Sequence, residues 1–196
     1  MEPTDTPSRS VGRRRRLPGV AFVAAALLVA AASASQGGEE PSGWTGALGD
    51  PAPALELSDL EGRSVRLEEH AGRAVLINLW ATYCLPCRHE MPLLDELAQE
   101  HPDDLVVLGI SLDGPSMESR VRDLGTELAI SYPLLLDPEG RASRLFEAPA
   151  LPASYLFGRS GRLVWKRLGV IVENDADFAA GLEAALAGDD EADGDN

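Results

Sequence analysis

From Ala74 to Trp80 the chain reads Ala-Val-Leu-Ile-Asn-Leu-Trp, a nearly continuous apolar run, and four residues beyond Trp80 it reads Cys-Leu-Pro-Cys. A short apolar run without alternation is the pattern of a strand covered on both faces. From Pro86 to Glu100 the period changes, and Met91, Leu94, Leu97 and Ala98 recur at helical spacing with acids between them. A buried strand that feeds a helix restricts the chain to an α/β sheet with the two cysteines at the junction. The pattern then repeats. Leu105 to Ile110 is a second buried strand, and Val121, Leu124 and Leu128 lie on one face of a helix within Met117 to Leu128. The order βαβα predicts parallel pairing.

Shorter elements flank this unit. Leu55-Glu56-Leu57 and Val65-Arg66-Leu67 alternate around Asp59-Leu60-Glu61-Gly62, which predicts a hairpin turning at Glu61-Gly62. Tyr132 to Leu136 reads as a short strand and Arg141 to Phe146 as a short helix. Ser154 to Phe157 with Leu163 to Trp165 reads as a hairpin around Gly158-Arg159-Ser160-Gly161. Asn174 or Asp175 caps a last helix carrying Phe178, Leu182, Ala185 and Leu186. Pro92 predicts a kink in the helix after the cysteines. The Gly/Pro/Ser/Glu-rich stretch before the first strand reads as a linker over 35–51, so the folded domain is expected over 52–187, with a disordered acidic tail over 188–196.

At the N-terminus, Arg13 to Arg16 precede a charge-free run from Leu17 to Gly38. Charge followed by an apolar run reads as an export signal over 1–34, with Ala32-Ser33-Ala34 as the small-x-small cleavage pattern. The second reading is an uncleaved membrane tether through 17–38; the run is long enough to span a bilayer but is dominated by alanine, so cleavage is favoured. Both readings make the folded part extracytoplasmic. The 17 basic against 32 acidic residues give a net charge of -15, which argues against nucleic acid as a partner. Loss of residues 1–34 takes away five arginines and two acids and leaves -18. This charge is read first as a solubility device, and second as attraction to basic partners.

Cys84 and Cys87 are the only two cysteines, too few for a disulfide framework. One helical turn separates them, so they can bridge. A helix N-terminus favours a thiolate, which makes Cys84 the candidate nucleophile and Cys87, farther in, the resolving thiol. Pro86 sits where a missing N–H costs little and helps start the helix. A purely structural disulfide closing so short a loop would add only about 2 kcal/mol in the chain-entropy model. Zinc needs about four ligands, and the chain has no third cysteine, while His89 falls on a different helix face from Cys87. His70, His89 and His101 have no convergent partners, so neither a metal nor a cofactor is expected.

The segment Ile77-Asn78-Leu79-Trp80-Ala81-Thr82-Tyr83-Cys84-Leu85-Pro86-Cys87-Arg88-His89-Glu90-Met91-Pro92 resembles the active-site segment of TlpA/ResA-like (DsbE-like) thioredoxins, which are exported thiol-disulfide oxidoreductases. The likeness extends from about Asp50 to Ala187. It implies a thioredoxin fold with an N-terminal β-hairpin and a central mixed sheet flanked by helices. It further implies that the Leu151-Pro152 bond is cis and faces the dithiol, with the Leu151 backbone available to a substrate strand. Tyr83 stands where the family more often has tryptophan and keeps an aromatic lid. Asn78 stands where thioredoxin itself has a buried acid, so proton transfer needs another group. Glu90 is the family-based candidate, one turn beyond Cys87, and burial would raise its pKa; the other reading is an exposed glutamate helped by the helix dipole. Trp80 either packs beside the disulfide at the substrate site or is core, and core is the commoner fate of such a residue.

The resemblance implies reduction of disulfides in extracytoplasmic proteins, such as oxidised apocytochrome c or a copper-site protein, with electrons from a membrane thiol transporter. Two other classes stay open. A peroxiredoxin-like thiol peroxidase expects threonine three residues before the cysteine, where this chain has Ala81. A Sco-like copper carrier uses more widely spaced cysteines than Cys84 and Cys87.

Overall fold

β3, Ala74–Trp80, is buried at every residue and lies inside the sheet, as its nearly continuous apolar run predicts. The computed structural model describes residues 44–187. The expected signal or tether over 1–34 and the acidic tail over 188–196 fall outside the described residues. The other strands are β1 (Glu56–Asp59), β2 (Ser64–Arg66), β4 (Leu105–Ser111), β5 (Leu134–Leu136), β6 (Ala153–Phe157) and β7 (Leu163–Leu168). Their order across the sheet is β2-β1-β5-β4-β3-β6-β7. β3, β4 and β5 are parallel, and every other neighbour pair is antiparallel. The helices are α1 (Leu85–Glu100), α2 (Glu118–Glu127), α3 (Arg141–Leu145) and α4 (Ala176–Ala187). This is a thioredoxin-like mixed sheet flanked by helices, with an N-terminal hairpin.

Side chains alternate across a strand, so β3 divides the interior into two cores. Ala74, Leu76 and Trp80 pack with Met91 and Leu94 of α1, Val121 and Leu124 of α2, and Phe178 and Leu182 of α4. Val75, Ile77 and Leu79 pack instead with Leu67, Ala142, Phe146, Tyr155 and Phe157. By the same period Asn78 faces the α1 side.

Local chemistry explains the boundaries. In the first hairpin the Asp59 carboxylate accepts from the N–H groups of Glu61 and Arg63 at 2.9 and 2.8 Å, and Gly62 takes φ +77, a left-handed conformation that glycine adopts without strain. β5 starts at Leu134 and not at Tyr132, because Pro133 has no N–H to give the ladder; its carbonyl accepts from Gly109 N–H at 3.0 Å. Asp175 is the cap of α4, accepting from Phe178 N–H at 3.1 Å. α1 runs through Pro92 to Glu100 as a single helix.

The linker expected over 35–51 does not hold from Trp44 onward. Trp44 packs its ring 5.4 Å from that of Phe146 and 5.8 Å from that of Phe157. Gly49 N–H donates to the Leu163 carbonyl at 2.7 Å and Leu163 N–H to the Asp50 carbonyl at 2.8 Å. The Asp50 carboxylate closes the segment on itself through the Thr45 hydroxyl at 2.8 Å. A linker-like composition carries no sign of one aromatic anchor with a distant partner.

Candidate active site

Cys84 is the N-cap of α1. Its backbone is extended, φ -84 and ψ 96, and its sulfur accepts from Cys87 N–H at 3.3 Å. One helical turn brings the Cα atoms of Cys84 and Cys87 to 5.3 Å, and the two are joined as a disulfide. Cys84 keeps 7% exposure while Cys87 has none, so whatever exposure the pair retains is on Cys84. Tyr83 and Leu85, on either side of Cys84, are exposed, as is Pro86.

The Leu151-Pro152 bond is cis. Pro152 is buried and Leu151 half-buried. The Pro152 carbonyl accepts from Gly169 N–H at 2.8 Å, which ties this corner to the segment after β7. That segment reaches the site through Ile171, which shares the buried cluster of Cys84 and Cys87, while Leu168 and Val172 remain exposed.

Glu90 lies one turn beyond Cys87 and is 2% exposed, which decides against the surface reading. Its Oε1 accepts from Asn78 Nδ2 at 2.7 Å and its Oε2 from Ile171 N–H at 2.8 Å. Burial pushes its carboxyl up to about 7, against the pull of those two donors and of Arg167; desolvation of the charged form wins. Asn78 also donates from Nδ2 to Ser154 Oγ at 3.0 Å, its register partner on β6, and its Oδ1 has no partner. Rotation of that amide by half a turn presents an acceptor to Glu90 in place of a donor, and Ser154 can reverse its hydroxyl to match. Asn78 can therefore hold Glu90 as carboxylate or as acid, which suits a group exchanging a proton near neutral pH.

Trp80 is corrected from a substrate contact to core. It is fully buried, and its Nε1 has no hydrogen-bond partner. A Cβ on Gly109 would lie 2.9 Å from both Leu134 and Tyr132 and 3.3 Å from Trp80 Nε1, so the missing side chain makes room for both rings. The enclosed Tyr132 hydroxyl also lacks a partner, and desolvation with the nearby Asp95 and Glu90 carboxylates pushes its pKa up.

Sequence reasoning missed Asp113, which lies just beyond β4, is buried, and accepts hydrogen bonds from Thr82 and Ser111. A lone aspartate in a strand-to-helix connection carries no signal that separates it from a solvated loop acid. It missed as well the role of Ile171, which acts through backbone. Among the described residues no group of three or more His, Cys, Asp and Glu is arranged to hold a metal ion, and His89 is exposed.

The AhpC/TSA family model matches residues 48–166. The thiol-disulfide oxidoreductase ResA of a Bacillus cereus strain is 30% identical over 122 residues, covering 62% of this chain and 70% of that protein. The crystal structure of a thiol:disulfide interchange protein of the thioredoxin family from Chlorobium tepidum TLS superposes with a TM-score of 0.61 at 24% identity, over 71% of this chain and 98% of that one. The exposed lipoprotein thioredoxin of Streptococcus pneumoniae does so with a TM-score of 0.57 at 28% identity, over 66% of this chain and 98% of that one.

Proposed function

The chain belongs to the AhpC/TSA family and is a thiol-disulfide oxidoreductase of the ResA type, and on this premise we propose that it works as an exported protein-disulfide reductase. The observation that carries this reading is a disulfide at the start of α1 of which only the Cys84 residue keeps any exposure, with the buried Glu90 carboxyl poised near neutrality one turn beyond Cys87.

In the reduced protein the Cys84 thiolate, favoured by the N-terminus of α1, attacks one sulfur of a substrate disulfide. That S–S bond breaks, a mixed disulfide forms, and the displaced substrate sulfur leaves as a thiolate that takes a proton. Cys87 then loses its proton to Glu90 and attacks Cys84 Sγ. The Cys84–Cys87 bond closes, and the second substrate sulfur leaves and is protonated. Two electrons pass to the substrate, and an external dithiol must return them. Tyr83, Leu85, Pro86 and the Leu151-Pro152 corner form the docking rim, with Leu151 backbone free to pair with an extended substrate segment. The substrates are disulfide-bearing extracytoplasmic proteins, with oxidised apocytochrome c and copper-site proteins the candidates that the resemblance supplies. A membrane thiol transporter is the donor. The run at 17–38 supports export, by cleavage or with the tether kept.

The test is the reduction potential of the Cys84–Cys87 couple, measured by equilibration in graded dithiothreitol, alkylation and mass spectrometry. A value near or below roughly -250 mV supports a reductase; a value near roughly -120 mV makes the protein an oxidant and overturns the direction. Catalytic consumption of peroxide would move it to the peroxidases.

A further inference from the structure

Cys84 ends a tight turn from Ala81, closed by Cys84 N–H donating to the Ala81 carbonyl at 3.0 Å. One buried carboxylate grips that turn from outside. Asp113 Oδ2 accepts from Thr82 N–H at 2.8 Å and from the Ser111 hydroxyl at 2.8 Å, and Oδ1 accepts from the Thr82 hydroxyl at 2.7 Å. The grip is reinforced by Leu112 N–H, which donates to the Trp80 carbonyl at 2.9 Å, so the exits of β3 and β4 are laced together. Asp113 is 7% exposed. Every one of these donors is neutral, so the carboxylate is satisfied geometrically while its charge is spread and not cancelled.

We propose that Asp113 is a positioning residue for the attacking thiol, holding the turn that presents Cys84 and setting a fixed negative charge beside the N-terminus of α1. The inference rests on the reading of Cys84 as the attacking sulfur. The helix N-terminus draws a thiolate onto Cys84, and a buried anion nearby opposes it. The opposition makes the reduced form less stable than the helix alone would make it and keeps the couple reducing. Arg88, the cation of the first turns of α1, is held by Glu127 at 3.1 Å and does not answer this charge.

Asp113→Asn separates grip from charge. The amide oxygen takes the place of Oδ2 and accepts from Thr82 N–H and Ser111, while the NH2 donates to Thr82 Oγ, whose proton turns away. In the reduced full chain at about pH 7, iodoacetamide is expected to alkylate Cys84 about three- to tenfold faster in Asp113→Asn than in the wild type. The potential rises in the same direction, because a more stable thiolate makes the reduced form more stable. Thr82→Val removes one neutral donor and leaves the charge, and is expected to slow alkylation about twofold. Thr82→Ser restores the wild-type rate. A purely structural role would lower the unfolding midpoint of both variants and leave rate and potential at wild-type values, and that result overturns the proposal, as does an Asp113→Asn that slows. Should Asp113→Asn fail to fold, an unchanged or faster Thr82→Val overturns it alone. Mass spectrometry identifies the alkylated cysteine, and preferential modification of Cys87 in the wild type would instead remove the reading on which the proposal stands.

Discussion

β3 sends Val75, Ile77 and Leu79 to one side of the sheet and Leu76, Asn78 and Trp80 to the other, and the two sides are built on different terms. The first is closed by the rings of Trp44, Phe146, Tyr155 and Phe157; its Tyr155 hydroxyl donates to the Phe146 carbonyl at 2.8 Å, and Trp44 Nε1 is left without a partner. The second encloses the dithiol and with it Asn78, Glu90 and Ser154, and it leaves Asn78 Oδ1, Trp80 Nε1 and the Tyr132 hydroxyl without partners. Each unmet buried polar group costs about 1–3 kcal/mol. The α1 side therefore gives up more stability to unmet polar groups than the ring-lined side does, and it is the side whose buried cluster holds the cysteines.

The sharpest way to break this division is at the sulfurs. Cys84→Ser is expected to abolish turnover of disulfide substrates, by at least about 10³-fold, with the fold intact, whereas Cys87→Ser should accumulate a mixed disulfide through Cys84 visible by mass spectrometry. Turnover surviving in Cys84→Ser would remove the chemistry from this side altogether. On the ring-lined side, Phe157→Ala should cost about 3–5 kcal/mol in urea unfolding, since Phe157 is 1% exposed, and should leave turnover per folded molecule at the wild-type value. A selective loss of turnover there would show that the two sides are not separable.

Glu90 sharpens the comparison through pH. Its folded pKa of about 7 lies above the ordinary 4.5, so the folded state holds the proton more tightly than the unfolded chain. The stability this contributes is fully present below about 4.5 and is lost as pH rises through about 7. Glu90→Gln, which Asn78 can accommodate by turning its amide, should remove that dependence. Relative to the wild type it gains on the order of 3 kcal/mol between pH 4.5 and 8, read by urea unfolding of the oxidised protein at the two pH values. Equal pH dependence in both proteins would mean that Glu90 titrates as a surface acid. The smallest effect is expected at Gly109→Ala. Its new methyl must displace Leu134 and Tyr132, at about 1–3 kcal/mol of overpacking, and the shift of Trp80 should show as altered near-ultraviolet circular dichroism.

The strand–helix alternation, both hairpins and the position of the dithiol are legible in sequence because each rests on neighbours within a few turns of chain. Periodicity locates a strand or a helix, and a helix N-terminus favours the first thiol wherever the helix goes. Trp44 was not legible, since a lone aromatic in a Gly/Pro-rich stretch becomes an anchor only when Phe146 and Phe157 are beside it. Trp80 was ambiguous because a residue ending a buried strand faces core or cleft according to what covers it.

The fate of the polar residues was decided by tertiary structure alone. Asn78 meets Ser154 across 76 residues, Glu90 meets Ile171 across 81, and Thr82 meets Asp113 across 31. No local pattern encodes such pairs. Whether an acid is solvated, poised near neutrality or held among buried donors depends on how much water the packed fold removes and which donors it brings in return. The sequence by itself determined where the sulfurs stand on the chain. The assembled sheet determined the electrostatic setting in which they work.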